Sequence, residues 1–273
     1  MINRAIRVNE LIEQIWCEKK LDLTLKYGSK KTPKMAMGKQ IHEEMKAKGY
    51  VELKAKPVNF ADYLFKIGYE AISSIKMLKD SGVCRELSIY GSYNGLTVSG
   101  KIDEIDLQKG LAKVVELKTG KVPASNGVFA LHRMQAFIYR KMLEDLRNGN
   151  YRFDLFSKFF RIENLKVSKE FEGELKSLEI NENLEEVYKY LFEEFRDMPE
   201  LSNNVEIRYI DEDGVNGSVE IEYSEKDVNE MFEYLKGYWL NEREAQPVKP
   251  NETWKCNICE FFGNKCKVYY KGN

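Results

Sequence analysis

The fold is decided by the stretch Arg85–Lys121, which reads RELSIYGSYNGLTVSGKIDEIDLQKGLAKVVELKTGK. Asn94-Gly95 within it is a strong signal for a two-residue hairpin turn, because both central residues of a type I′ turn need a positive φ. Lys109-Gly110 is a weaker candidate for a second turn of the same length. The stretch therefore predicts three short β-strands joined by two tight turns.

The predicted register places three acidic residues side by side on one face. Counting outward from the first turn sets Glu86 opposite Asp103, and counting from the second sets Asp103 opposite Glu116. Directly opposed residues have Cβ atoms roughly 4.5–5.5 Å apart, and like charges there repel. Lys118 shares the face of Glu116, but one ammonium does not neutralise three carboxylates. A divalent metal would do so, and oxygen ligands suit magnesium or manganese.

The alternative interpretation is a solvated outer face on which the acidic side chains splay apart. A three-residue second turn would also shift the register and weaken the metal hypothesis. Against the solvated face, apolar residues flank the last acidic position and indicate a buried third strand: Val114, Val115 and Leu117.

The acidic positions carry a family resemblance. Gly100-Lys101-Ile102-Asp103 followed by Glu116-Leu117-Lys118-Thr119-Gly120 resembles the D…ExK signature of RecB-like PD-(D/E)XK nucleases. The resemblance implies an α/β (α+β) fold with a restriction-endonuclease-like core, in which helices flank a central mixed sheet. It also implies that Asp103, Glu116 and the carbonyl of Leu117 bind metal, and that Lys118 helps to activate the attacking water. Glu86 would support the site or bind the metal itself.

A helix is predicted upstream, capped by Thr32, with Pro33 in its first position and Gly49 at its end. His42 lies on its inner face, where a lone histidine is usually a satisfied core residue. The spacing from Gly38 to His42 nevertheless resembles the GxxxH element of the same nucleases. That resemblance implies that His42 is a further metal ligand.

A second helix is predicted at about 127–147. Gln135 and Tyr139 are four residues apart and therefore project from one side of it. A generic helix could place them so by chance, but they resemble the family's QxxxY motif. The resemblance implies contacts with the substrate backbone and with the catalytic lysine.

The five cysteines indicate a second metal centre. Cys256, Cys259 and Cys266 form a C-x2-C-x6-C pattern, and Cys17 is the natural fourth ligand, since Cys84 belongs to the strands. The spacing alone leaves zinc and a [4Fe–4S] cluster open. Within the RecB-like branch, the pattern resembles the iron–sulfur nucleases, which implies a [4Fe–4S] cluster that clasps the two chain ends.

The 273 residues are expected to form one nuclease domain. Its parts would be a cluster-binding clasp at 1–30 and 250–273, a catalytic core at 31–148 and an accessory α/β segment at 149–249. Periodicity predicts further helices at 1–27, 58–81, 181–198 and 226–240, and further strands at 151–162, 205–210 and 218–223.

Composition restricts the binding partners and the compartment. Charged residues make up 32% of the chain with a net charge of −1, so a nucleic-acid surface must be a local basic patch. No apolar run approaches the roughly 18 residues of a membrane span, and the N-terminus lacks the apolar region of a signal peptide. We therefore expect a cytoplasmic protein without a membrane partner.

Two iron–sulfur families compete for the resemblance. Arg85-Glu86, the run from Gly91 to Glu104, Leu117-Lys118-Thr119 and Trp254-Lys255-Cys256 resemble the exonuclease V family. That family implies a metal-dependent exonuclease that degrades single-stranded DNA in repair or replication, with single-strand-binding or repair proteins as candidate partners. One alternative is the CRISPR-associated adaptation nuclease, which trims DNA ends and is usually shorter than this chain. Another is a non-catalytic, zinc-stabilised DNA-binding module with a structural acidic row.

Overall fold

A computed structural model describes residues 4–30, 36, 40, 50, 52–123 and 126–267. In these residues a six-stranded mixed sheet is flanked by helices. The elements in chain order are β1 Ile6–Arg7, α1 Val8–Tyr27, α2 Phe60–Ser81, β2 Val83–Tyr93, β3 Leu96–Gln108, β4 Leu111–Thr119, α3 Asn126–Arg147, α4 Phe153–Phe160, α5 Lys169–Ser177, α6 Leu184–Arg196, β5 Asn204–Asp211, β6 Gly214–Glu222 and α7 Glu225–Trp239. Two 3₁₀ segments cover Ile162–Asn164 and Pro250–Ile258.

Strand β3 is the centre of the sheet. Strand β2 runs antiparallel to β3, pairs with nearly the whole length of β3 and so occupies one edge of that strand. The other edge is shared by β1, which is parallel at Val98 and Ser99, and by β4, which is antiparallel from Glu104 to Gln108. Between these two stretches, that edge of β3 pairs with no strand of the described chain. The opening lies beside Asp103.

Both predicted two-residue turns are confirmed. Tyr93 pairs with Leu96, and Gln108 pairs with Leu111. All four turn residues have positive φ, at 50° and 83° for Asn94-Gly95 and at 52° and 82° for Lys109-Gly110. The register predicted from these turns is therefore the register of the sheet.

The rest of the sheet continues from β4. Strand β5 runs parallel to β4, and β6 returns antiparallel to β5. Strands β5 and β6 and helices α2, α3, α6 and α7 confirm the corresponding predictions to within a few residues. Helix α2 ends as predicted at Gly82, which has a left-handed φ of 80°. No helix of the described chain is long and apolar enough to span a membrane.

The strand predicted at 151–162 is wrong, because the chain forms α4 there and then a 3₁₀ turn. The aromatic residues Phe153, Phe156 and Phe160 recur at the helical spacing i, i+3, i+7. Phe156 is fully buried, with its ring centroid 4.2 Å from that of Tyr188 and 4.9 Å from that of Tyr90. The strand prediction relied on an alternation of apolar residues. Burial of the helix face that carries Phe156 favours the helix instead.

The structure corrects one prediction near the N-terminus, and another lies outside the described residues. The helix predicted at 1–27 begins only at Val8, because Ile6 and Arg7 form the short strand β1 beside β3. It is also interrupted at Cys17, which has non-helical φ and ψ of −166° and 108°. The helix predicted from Thr32 to Gly49 lies almost entirely outside the described residues, and His42 lies outside them as well.

Candidate active site

Asp103 and Glu116 meet where β4 separates from β3. The last paired residues are Glu104 and Val115, one position before them. Beyond this pair the Leu117 amide donates a hydrogen bond to Asp103 Oδ2 at 2.9 Å. Glu116 is 1% exposed, and its carboxyl group shares a hydrogen bond with that of Asp103. The structure therefore brings the two predicted acids into direct contact.

The surroundings of Asp103 make its carboxyl group hard to ionise. Burial raises the pKa of Asp103 to about 7, and the charge of Glu86 adds to the rise, while Lys118, the Leu117 amide and the hydrogen bond with Glu116 oppose it. A raised carboxyl pKa means that the protein environment disfavours the charged form of this carboxyl group. A divalent cation would remove that penalty, so these oxygen donors fit Mg²⁺ or Mn²⁺.

Lys118 is held between the acids and helix α3. Its Nζ lies 2.6 Å from Glu116 Oε1 and donates a hydrogen bond to Gln135 Oε1 at 2.9 Å. Gln135 Nε2 in turn donates to Asn9 Oδ1 at 3.2 Å and to the Tyr139 hydroxyl at 3.4 Å. The residues predicted from the ExK and QxxxY patterns therefore form one connected group. Asn9, at the start of α1, was not predicted from the sequence.

Tyr139 and Gly100 fit against one another. A Cβ atom at Gly100 would lie 2.6 Å from Tyr139 Cε1 and 2.9 Å from Val8 Cγ2. Real Cβ atoms do not approach other atoms so closely, so the glycine is required for α1 and α3 to approach β3. Burial, followed by the charges of Glu116 and Asp103, raises the pKa of Tyr139 well above its usual value. The Tyr139 hydroxyl therefore stays protonated.

Glu86 occupies the edge of this group. It has a positive φ of 55° inside β2, and its carboxylate lies 3.3 Å from Lys101 Nζ. It influences the pKa of Asp103, so the three predicted acids share one region. A metal-binding role for Glu86 stays a prediction, as it does for His42 and for the Leu117 carbonyl.

A cavity of about 1390 Å³ opens at this group. Asp103, Lys101, Gln135 and Tyr139 all line it. Its volume exceeds the roughly 300–1,000 Å³ of typical small-molecule sites, which suits a section of a polymer.

Four cysteines line a second, much smaller cavity, and they are the four predicted ligands Cys17, Cys256, Cys259 and Cys266. Cys84 is buried instead in β2. The interruption of α1 at Cys17 places its Sγ within 3.4 Å of the Lys20 amide, which donates to it. In the described residues, no group of three or more His, Cys, Asp or Glu side chains is drawn together tightly enough for a single metal ion. Four thiols around one cavity nevertheless provide a donor set that suits an iron–sulfur cluster or zinc.

The two ends of the described chain meet at these cysteines. Lys255 Nζ donates to the Trp16 carbonyl at 3.1 Å, and the Trp16 and Trp254 rings contact each other edge to face at 5.3 Å. The Lys19 amide donates to the Gln246 carbonyl at 2.9 Å. Helix α1 and the C-terminal 3₁₀ segment are therefore in direct contact.

Comparison with known proteins gives a family match, a relative and a similar solved structure. A family profile described as "Exonuclease V - a 5' deoxyribonuclease" matches residues 2–116 and 168–268. The chain is 23% identical to Exonuclease V of Danio rerio over 277 residues, which cover 94% of this chain and 68% of that protein. The crystal structure of SSO0001 is similar with a TM-score of 0.46 and 12% identity, over 93% of this chain and 82% of that one. The family match includes Asp103 and Glu116 but not Lys118.

Proposed function

We propose, from the premise that this chain belongs to the exonuclease V family of 5′ deoxyribonucleases, that it is a metal-dependent exonuclease acting on single-stranded DNA. The observation that carries this proposal is the contact between Asp103, which lines the large cavity, and the buried Glu116. Burial and the charge of Glu86 oppose the ionisation of Asp103, and a divalent cation bound by both acids would favour it.

Asp103 and Glu116 would hold one or two Mg²⁺ or Mn²⁺ ions, with the Leu117 carbonyl and His42 as further ligands. Glu86 would bind the metal or support the site from the neighbouring strand. When bound, the metal lowers the pKa of its water and stabilises charge on the attacking and leaving oxygens.

The remaining side chains orient the reacting groups. Lys118 is fixed between Glu116 and Gln135, so its ammonium would lie beside the attacked phosphodiester. There it positions or deprotonates the nucleophile, or it acts as a fixed positive charge. Gln135 and Tyr139 would contact the DNA backbone while they hold Lys118 in place. The physiological role would be DNA repair or replication in the cytoplasm, beside single-strand-binding or repair proteins.

The cysteine cavity would hold a [4Fe–4S] cluster that keeps residues 1–30 and 250–273 together as a clasp. In this arrangement, 31–148 is the catalytic core and 149–249 is an accessory segment of the same domain. The contacts between α1 and the 3₁₀ segment support the clasp.

The cluster proposal is tested by spectroscopy. Protein purified without oxygen should be brown, absorb near ~400 nm and contain iron. Cys256→Ser should remove the colour, whereas Cys84→Ser, a cysteine outside the cavity, should keep it. A colourless wild-type protein with stoichiometric zinc would instead favour the zinc-stabilised DNA-binding module.

The nuclease proposal is tested with end-labelled single-stranded DNA and Mn²⁺. Wild-type protein should degrade linear strands and leave circles intact, and Lys118→Ala should be inactive. Glu104→Gln is the matched control, because Glu104 neighbours Asp103 in sequence but bonds to Arg85 and Arg208 instead. Full activity of the Lys118→Ala protein would refute the assignment of Lys118, and cleavage of circles would refute obligate exonuclease action.

A further inference from the structure

The floor of the large cavity is a strip of hydroxyl side chains on the β2–β3 hairpin. Ser92 pairs with Thr97, Tyr90 with Ser99 and Ser88 with Lys101, and all six of these residues line the cavity. Directly paired residues project from the same face of a sheet. The strip leads along β3 to Asp103, which also lines the cavity. A polar track therefore runs to the candidate active site.

Basic side chains surround this track. The described lining residues include five basic side chains and one acidic one, which is Asp103; the basic ones are Arg4, Arg7, Lys101, Lys158 and Arg161. Arg4 and Arg7 contact the buried carboxylate of Glu10 at 2.8 and 2.9 Å, yet their side chains remain 46% and 70% exposed. Glu10 therefore holds both arginines in the cavity lining, while their exposed side chains can still contact a ligand.

A second wall is aromatic. It consists of Phe60 and Tyr63 on α2 and of Phe159 and Phe160 on α4, which we name the aromatic shelf. The ring of Phe160 lies 6.2 Å from Phe60 and 4.9 Å from Phe159, centroid to centroid. Phe60 and Tyr63 are each 51% exposed, although the apolar core lies directly beneath α2. Large exposed rings in a cavity are a feature of binding surfaces rather than of cores.

We propose that the aromatic shelf stacks the unpaired bases of the DNA strand while the arginines and the hydroxyl strip bind its backbone. The proposal rests on the proposed function and assigns the selection of single strands to this wall. Every base has a π-face that can stack on an aromatic ring, so the interaction tolerates any sequence. A duplex hides those faces inside its own stack, so only a single strand can use the shelf.

The test is DNA binding by fluorescence anisotropy, without cleavage. Asp103→Asn protein is titrated against a labelled single strand of ordinary nucleotides and against an equally long strand whose nucleotides lack bases. Adding Phe60→Ala and Tyr63→Ala should weaken binding of the ordinary strand about tenfold or more. The same two substitutions should leave binding of the strand without bases nearly unchanged, since that strand has no base to stack.

Three controls separate stacking from other effects. Tyr234→Ala removes an equally exposed aromatic ring outside the cavity and should change neither affinity. Tyr63→Phe keeps the ring and should retain the affinity of the parent protein. Arg4→Gln should weaken the binding of both strands equally. It should also lower the slope of log K against log salt by about 0.7.

An equal loss on both strands, or no loss on either, would overturn the stacking proposal. Degradation of DNA by the wild-type protein would still support the proposed function in that case. Conversely, intact stacking by a wild-type protein that cleaves no DNA would refute the proposed function alone.

Discussion

Two buried charge clusters begin at neighbouring residues of β3 and differ in how their charges are balanced. In the balanced cluster, Glu104 contacts Arg85 at 2.7 Å and also Arg208. Glu206 contacts Arg208 and Lys113, each at 2.9 Å, and Lys113 also lies 3.8 Å from Glu220, so three carboxylates meet three cations.

The acidic cluster has more carboxyl groups than cations among the described residues. Its carboxyl groups belong to Glu86, Asp103 and Glu116, and the cations that contact them within the described residues are Lys101 and Lys118. Buried charges cost free energy unless they are paired. The balanced cluster therefore joins β2, β3, β4 and β5, whereas the acidic cluster is suited to a bound cation.

The largest expected effect comes from Asp103→Asn. Loss of a metal-binding carboxylate should reduce DNA cleavage by roughly 10³-fold, because the metal supplies several kcal/mol of transition-state stabilisation. The free energy of unfolding should stay the same or rise, since the change removes a carboxyl group whose charge is disfavoured by burial and by Glu86. Cleavage kinetics and urea denaturation measure the two quantities. A large loss of stability would show that the acidic cluster is structural.

Glu104→Gln should have the reverse profile. It leaves Arg85 and Arg208 without their shared carboxylate in a buried position, so unfolding should become easier by about 3 kcal/mol. Cleavage per folded molecule should be unchanged, because the residue does not line the cavity. If Glu104→Gln abolished cleavage without destabilising the protein, the two clusters would not have separate roles.

Gly100→Ala tests the packing behind the acidic cluster. The added methyl group would overlap the Tyr139 ring and Val8, so we expect a loss of roughly 1–3 kcal/mol in unfolding free energy. Cleavage should fall as well, because Tyr139 contacts Gln135, which holds Lys118. Gly127→Ala is the control, since a Cβ atom there meets nothing within 4 Å.

The smallest effect is the acid sensitivity of the balanced cluster. Burial opposes ionisation of Glu206, but Arg208 and Lys113 outweigh it and lower the pKa of this carboxyl. A lowered folded-state pKa stabilises the protein above the unfolded value of about 4.3, and this contribution is lost as the pH falls through the folded-state value. Glu206→Gln should therefore be less stable than the wild type at neutral pH, with a difference that shrinks below about pH 4. A difference independent of pH would contradict the assigned ion pairs.

The hairpins and the acidic contact could be predicted because local signals determine them. Asn94-Gly95 and Lys109-Gly110 fix both turns, and with them the register that sets Asp103 against Glu116. Turn chemistry acts over a few residues, so the sequence states it directly.

The remaining features depend on residues far apart in the chain. Asn9 reaches Gln135, and Arg208 reaches Glu104, only after the sheet and its helices have assembled. Helix α4 was mistaken for a strand because its apolar residues fit both periods, and the burial of Phe156 against Tyr188 decides between them. The basic and aromatic residues that line the cavity likewise come from segments far apart in the chain.

Calorimetric titration of Mn²⁺ into the protein, without DNA, tests most directly whether the acidic cluster binds a cation. Wild-type protein and Glu104→Gln should bind Mn²⁺ with the same affinity, and Asp103→Asn should bind it at least roughly tenfold more weakly. Equal Mn²⁺ affinity of the wild-type and Asp103→Asn proteins would contradict the central claim.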